Sequence, residues 1–289
     1  MNLDEYELNL LEKLRKNKYV LSFVKKYHVD LSFVQRNLYD INEWVKTLEK
    51  CENCKGMEFC RQNKQGCIKN IYVDDGYLDH VFVSCTFAKK KKQAIAHKKN
   101  YRISDLSDEE YLIDINQFDL HLENNEYLKA YMSVTDSYNQ DKGIYLYGQP
   151  GVGKTYLMIA LANKYAKEGK KVSFVKVPQL VQEYRDNMTD NDYTATMMNN
   201  LKFSEILFLD DIGSEFISQW TRDNLLFPIL NYRMDHGLKT YFTSNYTLEE
   251  LEQQYYIKGK DENRVPSNRM MERIKSLSLA QSMLGKSRR

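Results

Sequence analysis

An eight-residue glycine-rich segment carries the strongest chemical signal in the sequence: Gly148, Gln149, Pro150, Gly151, Val152, Gly153, Lys154 and Thr155. Two glycines that bracket four residues, followed by Lys-Thr, form the pattern of a phosphate-binding loop. The glycines let backbone N–H groups turn inward around a phosphate, and a following helix adds the positive end of its dipole. We expect Lys154 to reach the β- and γ-phosphates of ATP and the Thr155 hydroxyl to bind Mg²⁺.

The elements on both sides of this segment are those that such a loop requires. Residues 143–147 are predicted to form a short buried strand, and residues 156–168 show the apolar spacing of a helix that stops at Gly169. A glycine-rich turn that matches by accident would not need this strand–loop–helix context. The sequence therefore predicts a nucleoside triphosphate site.

Asp210 and Asp211 end a further predicted apolar strand, at residues 206–211. A strand this apolar is expected to be buried on both faces of a parallel sheet, and ligands bind at the carboxyl ends of such strands. We expect Asp210 to be a direct or indirect partner of Mg²⁺ and Asp211 to orient the attacking water. Asn245 ends a further predicted strand, from which its amide can bind the water or the γ-phosphate.

Other segments complete an alternation of strands and helices. A strand is predicted at 171–177, a helix from Pro178, a polar loop at 186–195 and a helix at 221–235 that Pro228 should bend. Near the C-terminus, Arg269 and Arg273 stand one helical turn apart on one face. The fixed fork of arginine suits phosphate, while the alternative is a solvent-exposed pair beside Glu272.

The N-terminal third holds two predicted helical stretches, 5–26 and 31–49, followed by all five cysteines of the chain. Cys51 and Cys54 have the spacing of a zinc knuckle, and Cys67 and Cys85 flank a predicted hairpin at 68–82. We therefore favour Cys51, Cys54, Cys67 and Cys85 as Zn²⁺ ligands, with Cys60 as the substitute for Cys67 and His80 as a weaker candidate. The alternatives are a redox-active Cys-x-x-Cys pair and buried core thiols.

Composition limits the class of protein. The 289 residues are 42% hydrophobic and 28% charged with a net charge of +2, so any nucleic-acid contact depends on local patches. No apolar run reaches the ~20 residues of a membrane helix, and the acidic N-terminus is unlike a secretory signal. We expect a cytoplasmic protein without membrane contact, with an N-terminal helical and zinc-binding domain at 1–100, a linker at 101–125 and an ATPase domain at 126–289.

Together these motifs resemble the AAA+ ATPases, and within them the bacterial replicative helicase loaders of the DnaI/DnaC type. The glycine loop, Leu-Asp-Asp-Ile-Gly at 209–213, Thr-Ser-Asn at 243–245 and Arg-Met-Met-Glu-Arg-Ile at 269–274 occur in that family's order. The cysteine-rich N-terminal region is similar to the DnaI branch. The resemblance implies an α/β fold, a parallel sheet flanked by helices, preceded by the small helical and zinc-binding domain.

The resemblance also implies roles for single residues. Asn245 would be the sensor-1 residue, Arg273 together with Arg269 the arginine finger for a neighbour's ATP, and Arg288 a loose candidate for sensor 2. The usual Asp-Glu of AAA+ proteins is Asp-Asp here, and only about fifteen residues follow Arg273. These departures lead us to expect slow, switch-like hydrolysis and a truncated lid.

The partners implied are a hexameric replicative helicase, gripped by the zinc domain, and single-stranded DNA, with self-association in the helicase complex. Tyr184, Arg185 and the lysine run 89–92 are plausible DNA contacts, although a lysine run is more often a solvated helix face. The alternative function is an ATPase that assists transposases, which shares the core motifs. That relative is not expected to carry the cysteine-rich region.

Overall fold

A computed structural model describes residues 4–121 and 123–287 of the chain. The chain divides into two compact units, Met1–Ala94 and Ile95–Arg289. Among the described residues, no helix is both long enough and apolar enough to cross a membrane.

Four helices begin the first unit: α1 (Glu5–Arg15), α2 (Lys18–Tyr27), α3 (Leu31–Arg36) and α4 (Leu38–Glu49). Each of the two predicted helical stretches is thus divided in two. The first divides because the Asn17 side chain caps α2, accepting a hydrogen bond from the amide of Tyr19 at 2.9 Å. The four helices bury one shared core, which includes Leu14, Phe23 and Ile41.

A β-hairpin and one further helix complete this unit. Strands β1 (Cys67–Asp74) and β2 (Tyr77–Ser84) pair antiparallel, as the sequence predicts. Asp75 and Gly76 at the turn both have positive φ, which a two-residue hairpin turn of this kind requires. The lysine run lies on α5 (Thr86–Ala94), in which no residue is buried. It therefore forms a solvated helix face.

The second unit is built on a six-stranded, all-parallel sheet with the order β3-β5-β6-β7-β4-β8. Its strands are β3 (Tyr101–Ser104), β4 (Gly143–Tyr147), β5 (Val172–Lys176), β6 (Ile206–Asp210), β7 (Lys239–Ser244) and β8 (Ser278–Ser282). β4, β5, β6 and β7 are the four predicted strands, and the predicted parallel sheet is confirmed.

Helices cover both faces of this sheet and bury two apolar cores. They are α6 (Asn125–Asp136), α7 (Lys154–Lys167), α8 (Val177–Asp186), α9 (Asn191–Phe203), α10 (Phe227–Asp235), α11 (Leu248–Tyr255) and α12 (Val265–Leu277). Residues of α6 and α7 contribute to one core, and residues of α8 to α12 contribute to the other. The layered α/β arrangement fits the core of a P-loop ATPase.

The predicted linker at 101–125 is wrong. Its first residues form β3, and the side chains of Leu106, Tyr111 and Ile115 are buried in the same core as α7. Buried Asn163 of α7 holds this segment in place, because its amide donates to the carbonyl oxygens of Glu110 and Ile113 at 2.8 and 2.9 Å. The stretch is therefore an integral part of the second unit.

Two other segments differ from the prediction. Residues 191–195 of the predicted polar loop 186–195 are the first residues of α9, because Asp190 caps the helix and Met197 and Leu201 are buried on one side. The predicted helix 221–235 consists of a π-helical stretch, Thr221–Leu226, followed by α10. Pro228 lies in the first turn of α10, where its missing N–H costs no helical hydrogen bond.

A phosphate-binding cleft and a cysteine cavity

The glycine loop connects β4 to α7 at the carboxyl edge of the parallel sheet. A cleft of about 540 Å³ opens there, lined by the loop and by the carboxyl ends of β5, β6 and β7. The loop begins at a glycine because a Cβ on Gly148, where φ is +153°, would lie 2.2 Å from the carbonyl oxygen of Met283. Gly153 has φ of +104° directly before α7. The backbone therefore follows a path that only glycine permits without strain.

Lys154 lies deep in this cleft, with 7% of its surface exposed. Its Nζ donates to the carbonyl oxygens of Gly148 and Gln149 at 2.6 and 3.0 Å, and to Oδ1 of Asn245 at 2.9 Å. The glycine loop and the end of β7 thus meet at one ammonium group. The structure brings together a cation and an amide that lie far apart in the sequence.

Asp210 is buried at the end of β6 and accepts two hydroxyl hydrogen bonds. Thr155 Oγ1 donates to its Oδ1 at 2.9 Å, and Thr243 Oγ1 donates to the same oxygen at 2.6 Å. Burial raises the pKa of the Asp210 carboxyl, and the two hydroxyls oppose that rise because they favour the charged form. Thr155 and Asp210 together supply the oxygen ligands that Mg²⁺ prefers.

Asp211 turns the chain sharply after β6, with φ of +59°. Its carboxylate accepts from the Asn245 amide at 3.0 Å and from Ser214 Oγ at 2.9 Å, and its own amide donates to Thr243 Oγ1 at 2.8 Å. Asp tolerates the left-handed conformation better than most residues. The turn keeps this second carboxylate at the cleft, beside the amide of Asn245.

The two arginines lie on α12, and the described residues that line the cleft include neither of them. Arg273 Nη1 lies 3.0 Å from Oε2 of Glu272, and the Arg273 side chain is only 18% exposed. Arg269 is exposed. Arg288, the sensor-2 candidate, lies outside the described residues.

In the first unit, all five cysteines line a single cavity of about 270 Å³, and their thiols are free. Hydrogen-bond donors face several sulfurs. The amides of Gly66 and Ala88 donate to Sγ of Cys60 and Cys85 at 3.4 Å each, and the Gln62 side chain donates to Sγ of Cys51 at 3.1 Å. N–H donors of this kind also bond the sulfur ligands of zinc sites.

The cavity does not, however, present a finished metal site. Over residues 4–121 and 123–287, no group of three or more His, Cys, Asp or Glu side chains is arranged to hold a metal ion. The predicted zinc-binding domain is therefore not shown by the arrangement of these side chains, although five thiols, a ligand type that zinc prefers, share one cavity. His80, the weaker candidate, has a side chain that is 52% exposed on β2, away from the cavity lining.

Comparison with known proteins decides the family. The family described as IstB-like ATP binding protein matches residues 72–275. The replicative helicase loader DnaI of Bacillus subtilis (strain 168) is 30% identical over 292 residues, which cover 96% of this chain and 91% of that protein. The chain belongs to the DnaI family of IstB-like ATP-binding proteins.

Solved structures agree with this membership of the DnaI family. A crystal structure of DnaI has a TM-score of 0.57 at 31% identity, covering 67% of this chain and 99% of that one. A protein described as a primosome component from Streptococcus pyogenes serotype M3 has a TM-score of 0.54 at 29% identity, covering 69% and 100%.

Five residues that line the cleft of this DnaI-family chain were missed by reasoning from the sequence: Tyr156, Lys176, Pro178, Gln179 and Thr243. Thr243 bridges the Asp210 carboxylate and the Asp211 amide, and Lys176 and Gln179 line the cleft at the end of β5 and the start of α8. Lys176 could have been predicted, because it lies at the carboxyl end of a predicted parallel strand. That end must lie at the same edge of the sheet as Asp210. Thr243 gave no comparable signal, since its role depends on the register of β6 against β7.

Proposed function

We propose that this chain is an ATP-controlled loader that binds a hexameric replicative DNA helicase and helps to place it on single-stranded DNA during primosome assembly in the cytoplasm. The observation that carries the proposal is the extent of the match to DnaI, which spans 96% of the chain. The IstB-like match begins only at residue 72, inside β1. The likeness to a helicase loader thus includes the N-terminal unit, which we propose to be the part that binds the helicase.

In the second unit, backbone amides of the glycine loop and the Lys154 ammonium hold the β- and γ-phosphates of ATP. Thr155 and Asp210 hold Mg²⁺, which neutralises charge on the phosphate oxygens when it is bound. Asp211 orients the attacking water and accepts its proton while ADP leaves, and Asn245 binds the same water or the γ-phosphate. The contacts among Lys154, Asn245 and Asp211 support these roles, because they converge on one cleft.

Arg273, assisted by Arg269, acts on the ATP of a neighbouring copy as an arginine finger. The position of both residues on α12, outside the lining of their own cleft, supports an action in trans. Hydrolysis then requires self-association in the helicase complex. The short Asp211 side chain makes hydrolysis slow, so that ATP acts mainly as a switch.

Single-stranded DNA is proposed to bind near the start of the π-helical stretch. The rings of Tyr184 and Trp220 lie 5.4 Å apart, and the Arg185 guanidinium lies 5.4 Å from the ring of Phe216, which is 69% exposed. Exposed aromatic rings beside a cation are the usual surface for stacked bases and their phosphates. The lysines of α5 are a second, less specific candidate for contact with DNA.

In the first unit, we propose one structural Zn²⁺ bound by Cys51, Cys54, Cys67 and Cys85, with Cys60 as the substitute for Cys67. The shared cavity and the N–H donors to sulfur support this proposal. A thiol must lose its proton to bind zinc, so the final geometry forms only as the metal enters.

The deciding experiment is co-purification of the full chain with the replicative helicase of the same organism, with and without ATP. Retention of the helicase, together with an ATPase rate that changes when helicase or single-stranded DNA is added, is the expected result. If the chain retains no helicase under either condition, the loader proposal fails. The transposase-assisting ATPase would then be the better description, since an insertion-sequence ATP-binding protein of Pseudomonas fluorescens is 29% identical over 35% of this chain.

A further inference from the structure

The arginine pair of α12 is held by side chains from α10. The guanidinium carbon of Arg269 lies 4.8 Å from the centre of the Phe227 ring, and that of Arg273 lies 5.1 Å from the same ring. One turn after Phe227, Asn231 Oδ1 accepts a hydrogen bond from Nε of Arg273 at 3.3 Å. Phe227 and Asn231 are four residues apart on α10, and they face the two arginines, which are four residues apart on α12.

We propose that Phe227 is the positioning residue for both arginines, so that a single aromatic ring presents the pair to the phosphates of ATP bound by a neighbouring copy of this chain. The inference rests on the proposed action of Arg273 in trans. It adds a residue on a different helix, with a defined contact, to the machinery of that action.

A contact between a guanidinium and an aromatic ring can hold an arginine that has not yet bound phosphate. A cation over a ring face is attracted by the electrons of the ring, and this contact occupies none of the five N–H donors. The ring therefore does not compete with phosphate oxygens for these donors, although Nε of Arg273 bonds Asn231 and its Nη1 contacts Glu272 and the Arg269 carbonyl oxygen. The competing ion pair to Glu272 is weak, because the Glu272 side chain is 69% exposed, and a phosphate can displace it.

Without the ring, each arginine would be a long side chain with several free torsions at the protein surface. Ordering such a side chain in the transition state costs conformational entropy, and that cost slows turnover. The ring and the side-chain Oδ1 of Asn231 restrict the conformations of the Arg273 side chain before ATP binds. A guanidinium ordered in advance stabilises the transition state more than a mobile one does.

Phe227 is not simply one more core residue. It is half-buried at the edge of the second core, whereas its neighbours Ile229 and Leu230 are fully buried. Apolar packing therefore explains only some of the contacts of the Phe227 ring. The other contacts are with the two guanidinium groups. A leucine at position 227 would keep the apolar packing and lose only the attraction for cations.

The test uses the full chain assembled with helicase and measures ATP affinity at equilibrium, kcat and KM. For Phe227→Leu we expect ATP affinity to stay within about twofold and kcat to fall about tenfold, within the range of single cation–π contacts. Phe227→Tyr restores the ring and should restore kcat. Asn231→Ala, at a helix position that tolerates alanine, should lower kcat by a smaller factor and leave the fold intact.

Phe203→Leu is the matched control. Phe203 is an exposed aromatic residue on α9 whose ring contacts Tyr232 of α10 at 5.0 Å, so it touches the same helix without touching the arginines. Its substitution should leave kcat unchanged. Arg273→Ala, measured in parallel, should remove most turnover and keep ATP binding.

The outcomes separate the inference from the function on which it rests. If Arg273→Ala keeps its kcat, the action in trans is wrong and the inference falls with it. If Arg273→Ala loses turnover while Phe227→Leu and Asn231→Ala keep theirs, the inference alone is overturned. Equal losses of ATP affinity and kcat in Phe227→Leu, or failure of Phe227→Tyr to restore kcat, would assign the residue to folding and also overturn it.

Discussion

The phosphate-binding cleft and the cysteine cavity differ in how far the polypeptide alone assembles them. In the cleft, hydrogen bonds already join Lys154 to Asn245 and Thr155 to Asp210. In the cavity, five thiols line one space, yet no three of the described His, Cys, Asp and Glu side chains are arranged for a metal. A phosphate site made of backbone amides and a sheet edge can form before its ligand. A zinc site made of cysteines forms together with its ligand, because each thiol must lose its proton to bind the metal.

The largest expected effect is at the cysteine cavity. Full-length protein purified without chelator should carry one zinc per chain. Stripping it should increase hydrogen exchange of the β1 and β2 amides by a factor of about 100 or more, because structural zinc contributes on the order of 10 kcal/mol to folding. The amides of β4 and β6 serve as the internal control and should exchange at unchanged rates.

The ligand choice has its own outcome. Cys60→Ser should retain zinc and Cys85→Ser should lose it, as measured by metal analysis of each purified variant. Retention by Cys85→Ser and loss by Cys60→Ser would show that Cys60 is a ligand. Absence of zinc from the unsubstituted protein would show that the cysteine cavity is not a zinc site. The cleft and the cavity would then differ in function, and not only in how they assemble.

The second effect is in the cleft. Lys154→Ala should weaken ATP binding by a factor of about 100 or more, or about 3 kcal/mol, because a buried ammonium is lost opposite phosphate charge. Lys170→Ala is the control, since that lysine forms an exposed ion pair with Glu205 at 3.0 Å. Equilibrium titration with ATP measures both. Undiminished affinity in Lys154→Ala would refute the assignment of the phosphate loop.

A smaller effect follows from the pKa of Asp210, which burial raises. The ionised carboxylate binds Mg²⁺, so affinity for Mg–ATP should fall as the pH drops through this raised pKa, by up to about tenfold per pH unit. The loss should begin at a higher pH than an ordinary aspartate would give. The stability contribution of Asp210 without nucleotide has the opposite sign: it is present at acidic pH and lost as the pH rises through the raised pKa. Asp210→Asn should remove the part of both dependences that this carboxyl contributes, as seen by difference from the unsubstituted protein in titrations from pH 8 to about pH 4.

The smallest expected effect concerns Thr243, whose hydroxyl bonds both Asp210 and the Asp211 amide. Thr243→Val should lower the free energy of unfolding by about 1–2 kcal/mol, because a buried N–H and a buried carboxylate oxygen lose a partner. Thr243→Ser keeps the hydroxyl and should recover most of the loss. Urea denaturation of the two variants distinguishes the hydrogen bonds from the packing of the methyl group.

Features formed within one segment of the chain could be predicted from the sequence, whereas contacts between distant segments could not. The β4–loop–α7 segment was foreseen to within two residues, because its apolar runs, glycines and capping signals are local. Asp210 and Asp211 were placed correctly at the sheet edge by the rule for parallel strands. Thr243 and Lys176 depend on strand register, and the contact of Phe227 with the arginines depends on how α10 meets α12. Such pairings between distant segments leave little trace in a single sequence.

Edge strands and polar helices were harder to foresee for a related reason. β3 has four residues and β8 is a half-exposed strand, so neither shows a long apolar run. The polar composition of residues 186–195 predicts a loop, although Asp190 is a good cap and Thr194, Met197 and Leu201 fall on one face of α9. Here the helical spacing was present in the sequence, and the polar composition obscured it.

The junction between α12 and β8 has a consequence for an assembly of several copies. α12 ends at Leu277 and β8 begins at Ser278, and β8 pairs along the whole of β4, the strand that enters the glycine loop. Continuous secondary structure thus joins the arginine pair to the strand that enters the copy's own phosphate loop. In an assembly that uses Arg273 in trans, we therefore expect ATP bound at the loop of one copy to influence the arginines that this copy offers to the next.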